Sequence, residues 1–563
     1  MNKFIVYRDS IVEHSLRTRF IFRDNHSMLS ARHSQIPRPP TPRSPAQGRN
    51  LTTHRRYRLL TLLITAAMVT GCVVNPVTGK RELALISEGN ELAIGAEQYL
   101  PSQQSQGGIY TADPALSTYV SEVGQRIASV SDRDLPYEFV VLNNSVPNAW
   151  ALPGGKIAVN RGLLTELGSE AELAAVLGHE IVHAAARHSA NQIQRGLLLQ
   201  GALIVTAMST SDSEYSNYIV GGAQLGAQLL TQTYSRSAEL ESDYYGTVYL
   251  KRAGYNPNAA ITLQETFVRL SEGRRTHWLE GLFASHPPSQ ERVEANIKTA
   301  RELGETGEIN EQRYTQKLAY LKSKQEAYTA FDQANTLARQ NESKSAMARL
   351  EDAIGIEPRD ARFYGLRGDI FLMQENYLAA TEEFNKALSI DDHYYEYYLG
   401  RGIARLKLGK NREARGDLER SNQLLPTAIA SNLLGQMSLA AGDLVTAKQY
   451  FGTAMSGSGR VGEQARDAFI RLDLPDNPDR YLESQPVLID GQFIAVIRNH
   501  SDIRTTAVRV EFAATVNNRR VRRVVSVDVI EPSQQRRVAS GWQFGPDDAV
   551  TDIQANVVSA RVN

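Results

Sequence analysis

The spacing of apolar and polar positions changes character several times along the 563 residues. Residues 1–52 are rich in Arg, Ser and Pro without an apolar period, and read as a disordered or mis-assigned extension. Leu59–Val69 is an apolar run too short to span a bilayer. Residues 85–133 predict two amphipathic helices ending near Asp132, and Tyr137–Leu142 alternates as a strand. Asn148–Leu152 and Lys156–Val159 flank Pro153-Gly154-Gly155, a hairpin signal. Leu173, Val176, Leu177, Ile181 and Ala184 then recur at helical spacing, after a capping box at Ser169 and Glu172. Leu197–Met208 and Ile219–Leu230 are apolar helices joined by a polar stretch, Ser209–Ser216. Each is about 12 residues and broken by Gly or Gln, so neither is a membrane span.

From 327 to 460 the pattern repeats. Ala346/Leu350/Ala353, Ala380/Phe384/Ala387, Ala414/Leu418/Ser421 and Ala447/Phe451/Ala454 succeed one another at 34, 34 and 33 residues. Ala334, Gly368, Gly402 and Gly435 fall about twelve positions upstream, where paired helices approach closely, and Pro358 and Pro426 end two units. This is the tetratricopeptide period: four helical hairpins stacked into a superhelix with a concave face for peptides or partner proteins. The cluster Tyr394-Tyr395-Glu396-Tyr397-Tyr398 is expected to serve packing and that face. After residue 484 the chain turns β-rich. Pro486–Ile497, Thr506–Val516, Arg520–Ile530 and Gln534–Phe544 predict a small antiparallel sandwich with a tight turn at Asn517-Asn518.

Charge is uneven. Residues 1–58 hold 12 Lys+Arg against 3 Asp+Glu, whereas residues 72–563 hold 50 against 59, so the mature chain is acidic and nucleic acid is not an expected partner. Cys72 is the single cysteine, which rules out an intrachain disulfide. Arg55-Arg56-Tyr57-Arg58, the apolar run and Val69-Thr70-Gly71-Cys72 together resemble a lipoprotein signal peptide over 53–71. Acylation at Cys72 would tether the chain to a membrane, and Val73 in the next position favours the outer membrane by the bacterial sorting rule.

The chemistry concentrates in His179-Glu180-Ile181-Val182-His183. Residues four apart share a helix face, so both imidazoles can reach one Zn²⁺ with Glu180 beside it as general base. A third ligand must come from elsewhere. Ala186 and Ser189 stand where a metzincin needs Gly and His. His188, five residues from His183, points to another face and reads as structural. Glu239 is the better candidate, with Asp243 one turn on to receive the second N–H of a ligand histidine. Glu241, on the opposite side, reads as a solvated acid.

HEIVH followed by Tyr234-Ser-Arg-x-x-Glu239-x-Glu-x-Asp243 resembles the HtpX/CAAX-prenyl-protease gluzincins, peptidase family M forty-eight, and the BepA-like branch that carries repeats. Asn148-Ala149-Trp150-Ala151-Leu152-Pro-Gly-Gly, Arg187-His188-Ser189 and Ser285-His286-Pro287 with Arg292 resemble further segments of that family, over roughly 75–300. Trp150 stands where Phe is usual and Ser242 where Ala is usual, neither at a position expected to touch metal chemistry. The resemblance implies a zinc endopeptidase with Arg292 supporting the site. His286 is implied either as a fourth ligand that keeps the centre latent or as a donor to the tetrahedral intermediate. The segment at Asn148, Ala149 and Trp150 is implied to be a sheet edge that takes an extended substrate strand.

The expected architecture is multidomain α+β: a gluzincin domain (72–310), a repeat superhelix (311–475) and a C-terminal β-sandwich (484–563). The expected setting is the periplasmic face of the outer membrane of a Gram-negative bacterium. The resemblance implies unfolded or misassembled envelope proteins as substrates and the outer-membrane assembly machinery as a partner of the repeats. A second reading is a chaperone or scaffold whose peptidase stays latent.

Overall fold

The computed structural model describes residues 72–196, 233–273 and 285–562. The signal segment before Cys72 and the expected helices Leu197–Met208 and Ile219–Leu230 lie outside the described residues. No described helix is long and apolar enough to cross a membrane.

A short antiparallel ribbon, Cys72–Val74 with Arg81–Leu83, precedes two helices, Glu88–Ser105 and Pro114–Ala128. Each helix begins where a side chain satisfies a free N–H: Ser87 accepts from Asn90 and Asp113 from Leu116, with Pro114 at the first helical position. A three-stranded sheet follows, ordered Glu138–Leu142, Lys156–Asn160, Ala149–Leu152, its first pair parallel and its second antiparallel. Ala149–Leu152 is therefore a sheet edge. Asn160 N donates to Asn148 O at 2.8 Å. By the antiparallel alternation, Trp150 then spends its main chain on the inner strand, while Ala149 and Ala151 turn theirs outward. Behind the sheet lie the helices Glu170–Ala185, Arg236–Arg252, Asn258–Gly273 and Gln290–Leu303.

Four helical hairpins make the array: Gln325–Arg339 with Ser343–Ile356, Ala361–Met373 with Tyr377–Ile390, Tyr395–Lys407 with Asn411–Leu424, and Ala428–Ala440 with Leu444–Ala454. The repeating apolar set is buried in every unit. Its large members press on the small residues of the paired helix: a Cβ added at Gly368 would lie 2.8 Å from Phe384, and one at Gly435 would lie 2.7 Å from Phe451.

The array does not stand apart from the layer of sheet and helices that precedes it. One apolar cluster runs without a break from Val77 through Leu177 and Tyr314 to Ile370. Asn143 Nδ2 donates to the Asp360 carboxylate at 3.1 and 2.9 Å, Arg362 binds Asn143 O, and Arg161 lies over the Tyr328 ring at 3.6 Å. Gln104 bridges His393 O at 2.7 Å and Tyr395 N at 2.8 Å. The tyrosine cluster expected on the client face thus sits partly in this seam, with Tyr394 and Tyr397 buried.

The C-terminal region forms two three-stranded antiparallel sheets among the described residues, six strands where four were expected. The expected strand Pro486–Ile497 is two strands, Leu482–Ile489 and Gln492–Asn499. Asp490-Gly491 turns between them at φ 48° and 77°, a primed hairpin turn whose Asp-Gly signal lay inside the assumed strand. Val550–Val562 was not expected as a strand; it pairs with Thr505–Val516. Ile470 and Leu474, at the end of the helix Gly459–Asp473, enter the sandwich core. The sandwich thereby closes the open end of the array.

Packing between repeats sets the first test. Phe384 fills the space opposite Gly400, where an added Cβ would lie 2.2 Å from the ring. Gly400→Ala should cost about 1–3 kcal/mol by overpacking. Phe384→Ala should cost about 3–5 kcal/mol as a cavity, both read by chemical denaturation.

Candidate metal centre

The two helices that carry the candidate ligands cross at glycines. Ser169 Oγ accepts from Glu172 N at 3.1 Å and starts Glu170–Ala185; Ser235 Oγ accepts from Ala238 N at 3.3 Å and starts Arg236–Arg252. At the crossing, a Cβ added to Gly246 would lie 3.0 Å from His179 N, and one added to Gly178 would lie 3.2 Å from Gly246 O. Glu239 is two turns before Gly246 on the same face, so this close approach brings its carboxylate to the histidines.

His179, His183, Glu239 and His286 converge, all buried, with one ligand atom each within 4.8 Å of the others. His183 Nε2 lies 3.0 Å from His179 Nε2 and 3.3 Å from Glu239 Oε1; His286 Nδ1 lies 3.3 Å from His179 Nε2 and 3.0 Å from Glu239 Oε1. Ligand atoms around a tetrahedral zinc, at roughly 2.0–2.1 Å from it, stand about 3.3 Å apart. The donor set and its spacing fit such an ion.

Glu180 is adjacent. Its Oε1 is 3.5 Å from His286 Nε2, and its Oε2 is buried with no hydrogen-bond partner. Burial raises its carboxyl above the usual glutamate range. Glu239 behaves oppositely: burial opposes its charge, yet His286 and His179 hold it well below the usual range. His286 is held up by Glu239 and Glu180 although burial alone would lower it, whereas burial takes His183 well down.

Asp243 Oδ1 faces His179 Nδ1 at 3.0 Å and fixes that ring's free nitrogen as the protonated one. Arg292 grips Asp243 with two bonds, 2.6 and 2.7 Å, and its Nη1 lies 2.9 Å from Glu239 Oε2. It also donates to Pro287 O at 3.2 Å, beside His286. One guanidinium therefore holds Glu239 and Asp243 of the second helix and the loop that carries His286.

Three readings change. The helix ends at Ala185, and Arg187 adopts φ 62°, a left-handed turn that folds His188 back onto His183 instead of away from it. Their Nδ1 atoms are 3.0 Å apart. Glu241 is not a solvated acid: its Oε2 lies 3.4 Å from His188 Nε2, and Lys80 pairs with its Oε1. Ser242 Oγ is 3.4 Å from His188 Nδ1, one step from a candidate ligand. Tyr234 escaped notice as a site residue. Its ring stacks on His183 with centroids 3.8 Å apart, and its hydroxyl is 2.8 Å from Ser189 Oγ. The signal was its place at the head of the Tyr234-Ser-Arg segment that leads to Glu239.

A histidine pair one helical turn apart, met by a glutamate from a crossing helix and flanked by a buried carboxylate, has the arrangement of a gluzincin metallopeptidase centre. Residues 114–300 match peptidase family M48 and residues 331–394 match the tetratricopeptide repeat, so the chain carries a domain of that peptidase family joined to such repeats. Members of the family use a divalent metal, typically zinc. The chain is 33% identical over 222 residues to the mitochondrial metalloendopeptidase OMA1 of Schizosaccharomyces pombe, covering 39% of this chain and 63% of that protein. It is 28% identical over 217 residues to the beta-barrel assembly-enhancing protease of Escherichia coli, covering 37% and 44%. A putative beta-barrel assembly-enhancing protease of Vibrio cholerae is 29% identical over 197 residues, covering 34% and 40%. The chain spans less than two thirds of the length of each of these relatives.

Two outcomes follow from this geometry. Gly246→Ala should force the helices apart, cost about 1–3 kcal/mol and weaken divalent-metal binding, read by denaturation and titration calorimetry. Glu241 is held down to about 2 from 4.5, chiefly by His188 and then by Lys80 against the opposing effect of burial. Its folded pKa lies below its unfolded one, so its stabilisation is complete above pH 4.5 and fades as pH falls toward 2. Melting curves of Glu241→Gln should lie below wild type at neutral pH and meet it near pH 2.

Proposed function

We propose that the chain is a zinc-dependent metalloendopeptidase, with one Zn²⁺ held by His179, His183 and Glu239, acting on unfolded or misassembled outer-membrane proteins. The observation that carries this reading is the buried meeting of two imidazoles and a carboxylate, at separations suited to zinc, beside Glu180, whose Oε2 has no hydrogen-bond partner. When bound, zinc supplies Lewis acidity toward the scissile carbonyl and toward water. Glu180 takes the proton of the attacking water on its free oxygen and passes it to the leaving amine. Asp243 orients His179, and Arg292 keeps Asp243 charged while also contacting Glu239.

The outward-facing main chain of Ala149 and Ala151 supports the substrate-edge role of the Asn148–Trp150 segment, because an extended peptide can add there as a further strand. Such binding reads backbone before sequence and suits unfolded clients. The repeats recruit them, and the names of the bacterial relatives point to barrel proteins of the outer membrane. Acylation at Cys72 would hold the 72–310, 311–475 and 484–563 divisions at the periplasmic face of that membrane.

His286 is the group that closes the centre. With it present, four protein groups fill a shell in which catalytic zinc keeps one position open. Displaced, the same imidazole would be free to donate to the oxyanion. This closure also favours a second reading, a repeat scaffold for barrel assembly with a latent peptidase.

Metal content and cleavage of an unfolded protein, measured for wild type, Glu180→Gln and His286→Ala, test the proposal. Stoichiometric zinc is expected in all three. Glu180→Gln should lose about 10²–10⁴-fold in rate, and His286→Ala should cleave faster than wild type. Absence of zinc rejects the reading. Unchanged client assembly by Glu180→Gln moves the main role to the scaffold.

A further inference from the structure

The relay behind His183 has no part in the chemistry described so far. His183 uses Nε2 toward the cluster, 3.0 Å from His179 Nε2 and 3.3 Å from Glu239 Oε1. A metal ligand bound through Nε2 carries its proton on Nδ1. That Nδ1 is 3.0 Å from His188 Nδ1, and two ring nitrogens bond only when one of them is bare. His188 must then accept at Nδ1 and carry its own proton on Nε2. This Nε2 makes no aligned hydrogen bond but lies 3.4 Å from Glu241 Oε2, an ion-pair separation, and the other oxygen of Glu241 takes Lys80. Ser242 Oγ, 3.4 Å from His188 Nδ1, can donate to the same lone pair and keeps that nitrogen an acceptor.

We propose that His188 and Glu241 are positioning residues for the metal ligand His183, fixing its tautomer and ring orientation through a relay that ends on Lys80 of the N-terminal ribbon. The two ligand histidines are thus held differently. His179 meets a carboxylate, Asp243, directly; His183 meets one through a second imidazole. The stacked Tyr234 restrains the face of the His183 ring while His188 fixes its edge. The ribbon is bound at the same place, since Asn75 Nδ2 donates to Ala186 O at 2.9 Å and Asn191 Nδ2 donates to Glu82 at 2.8 Å. Residues that directly follow Cys72 are in this way mechanically joined to the end of the HEIVH helix.

The inference rests on the zinc reading above, and the test separates the two. Zinc dissociation constants would be measured on the full chain by competition with a chromogenic chelator. The variants are His188→Leu, His188→Asn, Glu241→Gln and Lys80→Ala, each with the melting temperature of the metal-free protein. His188→Leu should weaken zinc about 10–100-fold, the range for removing a group that orients a ligand histidine. His188→Asn, whose amide oxygen can replace the accepting nitrogen, should recover most of that loss. Glu241→Gln should fall between them, and the largely exposed Lys80 should matter less than about twofold. Wild-type affinity in His188→Leu overturns the relay, and so does an equal loss in Leu and Asn, which would mean packing alone. If His188→Leu does not fold, Glu241→Gln decides, because unchanged zinc affinity there overturns it too. A wild type that binds no zinc rejects the metal site itself.

Discussion

The approach of Gly178 to Gly246 is the contact on which the centre depends. Only two side-chain-free positions let the helices come this near, and only at this distance does Glu239 reach the His179 and His183 rings. The approach also buries charge. Glu180, Glu239 and Asp243 are three buried carboxylates, and Arg292 is the one buried guanidinium paired with them. Desolvation of an ion costs several kcal/mol unless opposite charge is near. Glu180 and His286 are both raised in answer to the same deficit, the first chiefly by burial and the second by Glu239 and Glu180 against burial. A divalent cation supplies the missing two charges outright.

The seam between catalytic layer and array extends this rigidity outward. Asp360 and Arg362 begin the second repeat, yet their partners are Asn143 and its carbonyl, next to the sheet that bears the edge strand. Arg161, buried over Tyr328, starts the short helix that follows the central strand. On the proposed reading, clients held on the later repeats would meet the edge at a fixed separation, and binding there would act as effective concentration at the metal centre. A flexible link would dilute that gain.

What could be read from the residues followed from period and spacing. HEIVH, the 34-residue repeats and the capping Ser169 each state their structure locally, because a helix face or a hairpin repeat needs no distant partner. His188 and Glu241 were misread because their places depend on one left-handed residue, Arg187, whose identity gives no sign of it. Helical extrapolation past Ala185 put His188 on the wrong face. Asp490-Gly491 is different: the signal was present and was absorbed into an assumed strand. Tyr394 and Tyr397 serve packing, as their cluster suggested, but only the fold reveals Gly108 and Gln104 opposite the cluster.

On the proposed reading, the same few atoms that assemble the centre also limit how it opens. His286 lies between Ser285 and Pro287, and Arg292 is tied both to Pro287 O and to the Asp243 carboxylate. Withdrawing His286 gives up its contacts with Glu239 and Glu180 and one neutral-acceptor bond of Arg292, while leaving the two bonds of Arg292 to Asp243 intact. Bonds between charged groups are about twice as strong as those to neutral acceptors. The loop is the weaker side of that junction, so opening spares the second-helix carboxylates and with them His179. The ligand pair can stay in place while the fourth group leaves, which is what a centre needs if it is to be closed at rest and intact when open.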